Sequence, residues 1–383
     1  MATLSERPFS LFGKGPFHGL TQRLHLVDAA GKPRIARVVA VAWIPLVLGG
    51  LLPLARGLPV DPLIADLSVH TRFLVALPLL LVSSQLLEKQ CSGVIATAYR
   101  AQLADAQALD AIVERAERLR DSGVVELVLA LVALAIGQLG EWDAGFGPTG
   151  IFHGISSHPS WSFVRVWYGT IAFPLWQFLS LRWLWRWAIW SYLLVRVSRL
   201  PLAATASHPD HAAGLGCFAW PLAGYAWYVA AFTSVFAGAE GTRALHRQIT
   251  ITALGTEVAI LVVGAIIVGY GPLLAFSPQL YATKRRDLLR NTLLGFAYMR
   301  GFDEKWLEGH PTHEKLLGTQ DIQALNDFGG AFQMVLTTRL TVFEIRRMKV
   351  VVVAVLLPML PLLSTMVPLK SVLPRFAGVL LGS

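Results

Sequence analysis

FVRVWYGTIAFPLWQFLSLRWLWRWAIWSYLLVRVSRLPLAATASHPDHAAGL, residues 163–215, decides the class of this chain. It is a long apolar run with six tryptophans, Trp167, Trp176, Trp183, Trp185, Trp187 and Trp190. Arg182, Arg186, Arg196 and Arg199 are interleaved among them. About 20 apolar residues cross a bilayer core, and starting from Phe163 that length ends near Arg182. Arg182 and Arg186 stand four apart, on one helical face. The tryptophans around them match the aromatic belt of a membrane interface. Pro201 ends the helix, and a polar loop follows, Ser207-His208-Pro209-Asp210-His211-Ala212-Ala213-Gly214-Leu215.

Working outward, other segments repeat the pattern. Residues 38–55, 70–87, 124–139, 218–238, 250–276 and 350–367 are apolar runs, several broken by proline or glycine, which bilayer helices tolerate when neighbours re-satisfy the backbone. The chain is 54% hydrophobic and only 15% charged, against about a quarter charged in soluble domains. The expected fold is therefore all-α, a polytopic membrane bundle of about seven spans. Its parts are a basic cytoplasmic segment at 1–37, six spans within 38–276, a helical cytoplasmic subdomain at 277–347, and a seventh span with a short tail at 348–383.

The net charge of +9 collects beside the spans and forms no separate basic domain. This excludes a nucleic-acid partner and favours the positive-inside rule. Seven spans alternate basic inner loops with outer loops poor in lysine and arginine. The N-terminus then lies in the cytoplasm and the C-terminus outside. Arg243 and Arg247, read as part of an outer loop, dissent. Residues 88–122 carry Leu103, Leu109, Ile112, Val113, Ala116 and Leu119 at helical spacing between charges, the pattern of an amphipathic cytoplasmic helix. Cys91 and Cys217 both fall on the cytoplasmic side, where free thiols are expected.

Candidate sites are few. In His208-Pro209-Asp210-His211 the bland reading is a turn fixed by Pro209 in which the Asp210 side chain caps a following helix, with Gly214 and Gly216 allowing close packing. The chemical alternative is a metal or proton site. The spacing recurs in His310-Pro311-Thr312-His313, so His208, His211, His310 and His313 could clamp Zn²⁺ between two loops. No other cofactor is expected. Arg182 and Arg186 either snorkel to headgroups or draw anions into an inner vestibule. Glu257, followed by apolar residues to Ile267, either pairs with Arg243 or Arg247 or marks a solute pathway. Glu126 and Glu141 lie near span ends. In the stretch 316–328, Leu316-Leu317-Gly318-Thr319-Gln320-Asp321-Ile322-Gln323-Ala324-Leu325-Asn326-Asp327-Phe328, Thr319 is a candidate N-cap. Ile322, Leu325 and Phe328 share a face that needs a partner, either another helix or a second subunit. No P-loop, GxGxxG, GxSxG or HExxH occurs.

Together the loop HPDHAAGLG (208–216) and the stretch LLGTQDIQALNDF (316–328) resemble a group of bacterial multi-pass membrane proteins without a defined activity. That group carries an H-P-D-x-A-G-G-L-type loop and an L-L-G-x-x-D-I-Q-x-L-x-D-type segment. The resemblance implies a bacterial inner membrane and supplies no chemistry. The matching positions are His208, Pro209, Asp210, Gly214, Gly318, Asp321, Gln323 and Asp327. Ala213 replaces the first glycine of the loop, and His211 falls at its variable position.

Three functions fit. The first is a channel or transporter for a small anionic solute, using Arg182, Arg186 and Glu257. The second is a scaffold or signalling component that recruits a partner, a protein or a second copy, on residues 277–347. The third is a membrane-interface enzyme using His208, Asp210 and His310. The sequence leans away from the enzyme.

Overall fold

The computed structural model describes residues 9–12, 19, 34–57, 60, 62–142, 163–246, 251–308 and 320–362. Among them every regular element is helical. The principal helices are α1 (Ile35–Leu51), α2 (Leu67–Arg100), α3 (Ala106–Arg120), α4 (Gly123–Trp142), α5 (Phe163–Val197), α6 (Leu222–His246), α7 (Ile251–Tyr270), α8 (Ser277–Trp306), α9 (Gln320–Thr337) and α10 (Met348–Leu356). Two of these rods each contain one π-turn, Thr71–Ala76 in α2 and Tyr168–Ala172 in α5.

Four stretches are long and apolar enough to cross a membrane: Ile35–Ala55, Leu67–Arg100, Gly216–Arg243 and Leu254–Trp306. Gly123–Ile136 is a shorter apolar helix. Their outward residues are those that lipid would cover, among them Leu127 and Leu131 of α4 and Ile260, Val263 and Ile267 of α7. The rod α5, laden with tryptophan and arginine, is the hub instead. Trp183, Trp190 and Leu193 are fully enclosed, and Trp183 stacks on Tyr228 of α6 with ring centroids 4.0 Å apart.

Helix directions follow from paired residues. On α2 and α6, Ser83 donates to the Gly224 carbonyl at 2.7 Å. At the other end, Thr242 donates to Asp66 at 2.9 Å. The two helices are therefore antiparallel. They also touch closely, because a Cβ on Gly224 would sit 2.9 Å from the Leu87 amide nitrogen. Trp187 donates to the Val268 carbonyl at 3.0 Å and Gln279 to the Leu200 carbonyl at 2.9 Å. Rod α5 and the line from α7 to α8 therefore run side by side in one direction. Helix α10 joins α6 through Thr233 and the Ala354 carbonyl.

Several sequence boundaries need correction. Residues 88–122 are not one helix. Helix α2 continues to Arg100, and α3 starts afresh at Ala106 because Asp105 caps it, accepting from the Ala108 amide at 3.0 Å. Its apolar face is buried against the bundle, as expected of an amphipathic helix that covers it. Glu240 and Arg243 belong to α6, not to a loop. The helical pattern of 321–347 predicts one helix as far as Arg347, but α9 stops at Thr337, because Thr338 and Arg339 turn to bond the 206–211 loop.

Candidate functional site

The loop end of the bundle holds His208, Pro209, Asp210, His211 and Gly214 of the expected site residues. There the Asp210 carboxylate is a backbone organiser. Its Oδ1 accepts the Ala212 and Gly214 amides at 2.8 and 3.0 Å, and its Oδ2 accepts the Gly216 amide at 2.9 Å. The His208 ring stands 2.9 Å away. Burial favours the neutral acid, but the three N–H groups and His208 outweigh it and lower the Asp210 pKa below its ordinary value. A side chain on Gly216 would meet Asp210 Oδ2 at 2.9 Å. The cradle forces His211, Ala213 and Gly214 to φ of +52°, +56° and +85°, a region that glycine enters most easily. Ala213 therefore bears strain where the resembling loop carries glycine. Pro209 and His208 are exposed.

The same loop ties down the roots of α8 and α9. Arg339 donates to the Asp210 carbonyl at 2.7 Å and, through its backbone, to that of His211 at 2.8 Å. Thr338 donates to the Ala206 carbonyl at 2.6 Å, and the Ala206 amide donates to Asp287 at 2.8 Å. Lys284 caps the end of α9 through the Leu336 and Thr338 carbonyls. The His211 ring faces Thr337 at 3.0 Å. Asp210 thus positions a junction, and its lone pairs serve the fold. Among the described residues no group of three His, Cys, Asp or Glu side chains could hold a metal. His310, His313 and Gly318 lie outside the described residues.

Arg182 and Arg186 do not reach headgroups, contrary to the snorkelling expectation. They converge on one carboxylate inside the protein. Glu126 Oε1 accepts Arg182 Nε at 3.1 Å and Arg186 Nη2 at 2.9 Å. Arg186 is 0% exposed and Glu126 5%. Arg186 also donates to the Arg120 carbonyl at 2.7 Å, which locks α3 to α5. Arg120 in turn holds Asp121 through two bonds and donates to the Ser10 carbonyl. Residues Phe9–Phe12 lie across this cluster as a strap. The amides of Leu11 and Phe12 donate to Glu88 at 2.7 and 2.8 Å, Leu11 is buried, and the Phe12 ring faces the Arg182 guanidinium.

The sequence reading passed over the strap, because a four-residue apolar island in a polar N-terminus carries no periodicity. It also passed over Arg72. This arginine is buried beside the π-turn of α5, donating to the Tyr168 hydroxyl and lying 4.7 Å from the Phe173 ring centre. In the sequence it looked like an ordinary charge at the start of a span. Glu257 is half-buried near Glu240, which takes Arg243 at 2.8 Å. Free and buried, Cys91 and Cys217 take part in no disulfide.

The third region is the hairpin of α8 and α9. Asp321 Oδ2 accepts Lys305 at 2.8 Å and the Trp306 indole at 3.2 Å, which holds its pKa low. Tyr298 donates to the Asp321 carbonyl and stacks on Phe328. Gln323 and Asp327 bond each other at 3.0 Å on the exposed side. The motif residues Asp321 and Phe328 thus close the hairpin, while Gln323 and Asp327 face outward. Beyond its root the outer face of α8 is open, with Leu289 61%, Leu293 61% and Phe296 68% exposed. No protein-family model, curated protein or solved structure matches the chain.

Proposed function

We propose that this protein is a membrane-embedded docking platform, a scaffold or signalling component that presents the α8–α9 hairpin to a protein partner in the cytoplasm. One observation carries the reading. Large apolar side chains are left open on the hairpin, while Arg182, Arg186 and Glu126 inside the bundle are committed to one another. Water-exposed apolar faces of this kind mark interaction sites.

The orientation belongs to the same proposal. Helices α1, α2, α4, α5, α6 and α7, with the apolar segment 350–367 that starts in α10, make seven crossings of a bacterial inner membrane. The loop end, with Lys284, Arg285, Arg286, Arg290, Arg346, Arg347 and Lys349, faces the cytoplasm under the positive-inside rule. Lipid does not cover the hairpin in this arrangement. Helix α7 alone is about 30 Å long and fills the bilayer core, and about 39 Å of helix separates Tyr270 from Phe296. The pairs Trp187–Val268, Leu200–Gln279 and Ala206–Asp287 show α8 leaving the bundle in step with the chain beyond α5.

The solute-pathway reading draws less support, since Arg182 and Arg186 would have to give up Glu126 to meet an anion. The enzyme reading loses Asp210 to backbone amides. The test is native electrophoresis of mildly solubilised membranes containing the wild type or a Leu293→Asp, Phe296→Asp double variant. The wild type should migrate as a complex and the variant as a smaller particle, with unfolding unchanged within about 0.5 kcal/mol because exposed sites tolerate substitution. Equal migration of the two refutes the reading.

A further inference from the structure

We infer that the occupant of the hairpin is a second copy of this chain, joined head to tail. The outer face of α8 in one copy packs on the outer face of α9 in the next. The inference rests on the docking reading above and names its partner.

The two outer faces are unlike and complementary. The exposed charges of α8 are Arg285, Arg286, Arg290 and Arg300 against Glu304. Helix α9 has no lysine or arginine, and its exposed acid is Asp327, because Asp321 is held by Lys305 and Trp306 of the same hairpin. Bulk is complementary as well. The open face of α8 presents Leu289, Leu293 and Phe296 as knobs. The open face of α9 presents Gly329 and Gly330, with no atom of the described residues within 4 Å of where a Cβ would stand on either.

Glycine is the poorest helix former after proline, and two in succession within α9 have no packing reason among the described residues of one copy. Close approach of a neighbouring helix supplies that reason. Asp327, exposed and bonded to Gln323 among the described residues, then meets the arginine-rich face of the neighbour. The inner faces of α8 and α9 are already used on each other, through Tyr298, Phe328 and Gly295.

Symmetry favours the same arrangement. Copies sharing a membrane share one orientation, so an axis relating them stands along the membrane normal. A head-to-tail contact between two different faces about such an axis closes into a ring when its rotation divides a full turn, a two-fold dimer being the smallest case. One hairpin has both faces, one on each flank, so every copy gives one and receives one.

The experiment uses the full chain with Cys91→Ala and Cys217→Ala. One tagged copy carries Phe296→Cys and a differently tagged copy carries Gly330→Cys, and the two are co-expressed. A short bis-maleimide should give mixed-tag dimers from the pair and none from either variant alone. The double-cysteine chain should give a ladder that ends at the ring size. Gly330→Leu is the second variant. Its side chain enters open space and improves helix propensity, so the hairpin keeps its fold, yet the oligomer should fall to single chains with at least a tenfold weaker association. Several outcomes overturn the inference: dimers formed by Phe296→Cys alone, an oligomer indifferent to Gly330→Leu, or a wild type that is a single chain by mass in native lipid. If that single chain still shields Phe296→Cys from a water-soluble maleimide in membranes, the docking reading stands and only the second copy is wrong. If Phe296→Cys is open in membranes, both fall.

Discussion

Replacing Glu126 with Gln should be among the most damaging single changes in this protein. The carboxylate is buried, and one oxygen serves both Arg182 and Arg186, at 3.1 and 2.9 Å. Glutamine keeps the volume and removes the charge, so two adjacent guanidiniums remain enclosed without their shared counter-ion. Breaking a buried pair from one side costs about 3–5 kcal/mol, because the surviving charge is uncompensated. Arg186→Met should cost about as much, since it orphans the Arg120 carbonyl and releases α3 from α5. The double variant Glu126→Met, Arg186→Met removes charges from both sides. It should therefore cost at least about 2 kcal/mol less than the sum of Glu126→Met and Arg186→Met. Reversible denaturant unfolding of the purified protein in lipid nanodiscs gives the three free energies. Additivity within about 0.5 kcal/mol, the behaviour of independent sites, would refute the idea that these groups form one cluster.

Other expectations follow from the loop end and the helix contacts. The Asp210 pKa is lowered on folding, so its contribution is present above the ordinary aspartate pKa of about 3.9 and is lost as pH falls through the lower folded value. Amide exchange at Ala212, Gly214 and Gly216 should stay slow at pH 5 and rise only in stronger acid; Asp210→Ala should abolish that protection at every pH. Ala213→Gly relieves a left-handed backbone and should stabilise the protein by about 1 kcal/mol in thermal unfolding. Gly224→Ala should push α2 from α6 at a cost of about 1–3 kcal/mol, read from the same unfolding curves. Leu11→Asp should free the strap, so that a protease cleaves near residue 12 at least tenfold faster while the α2–α6 core stays intact.

Much of the fold was legible, and the reasons are local. The apolar runs and the tryptophan-rich rod announce helices by length and composition. The striped face of Leu109, Ile112, Val113 and Ala116 announces α3 by period, and a backbone-bonding role for Asp210 follows from the residue type in a proline turn, although it holds the amides of Ala212, Gly214 and Gly216 rather than serving as the N-cap of a helix. What stayed hidden is long-range. Glu126 was visible as a charge at a span end, but nothing local says that it waits for two arginines more than fifty residues on. Depth misled in the same way. Arg182 falls where a snorkelling arginine should be, and only the arrival of α4 beside α5 makes it a buried one. The end of α9 is set by Thr338 and Arg339 reaching a loop over a hundred residues away, against a helical pattern that continues. Phe9 and Leu11 show the limit in its plainest form, since four residues have no period to read.

The central claim, a partner on an open hairpin, is tested most directly by the accessibility of Phe296→Cys to a water-soluble maleimide. Labelling rates would be compared between native membranes and single chains isolated in nanodiscs, with exposed Leu307→Cys in the hairpin as the reference. A rate at least tenfold lower in native membranes, with Leu307→Cys unchanged, is the result expected of a docking platform. Equal rates in the two settings would mean that nothing covers this face, and would contradict the claim.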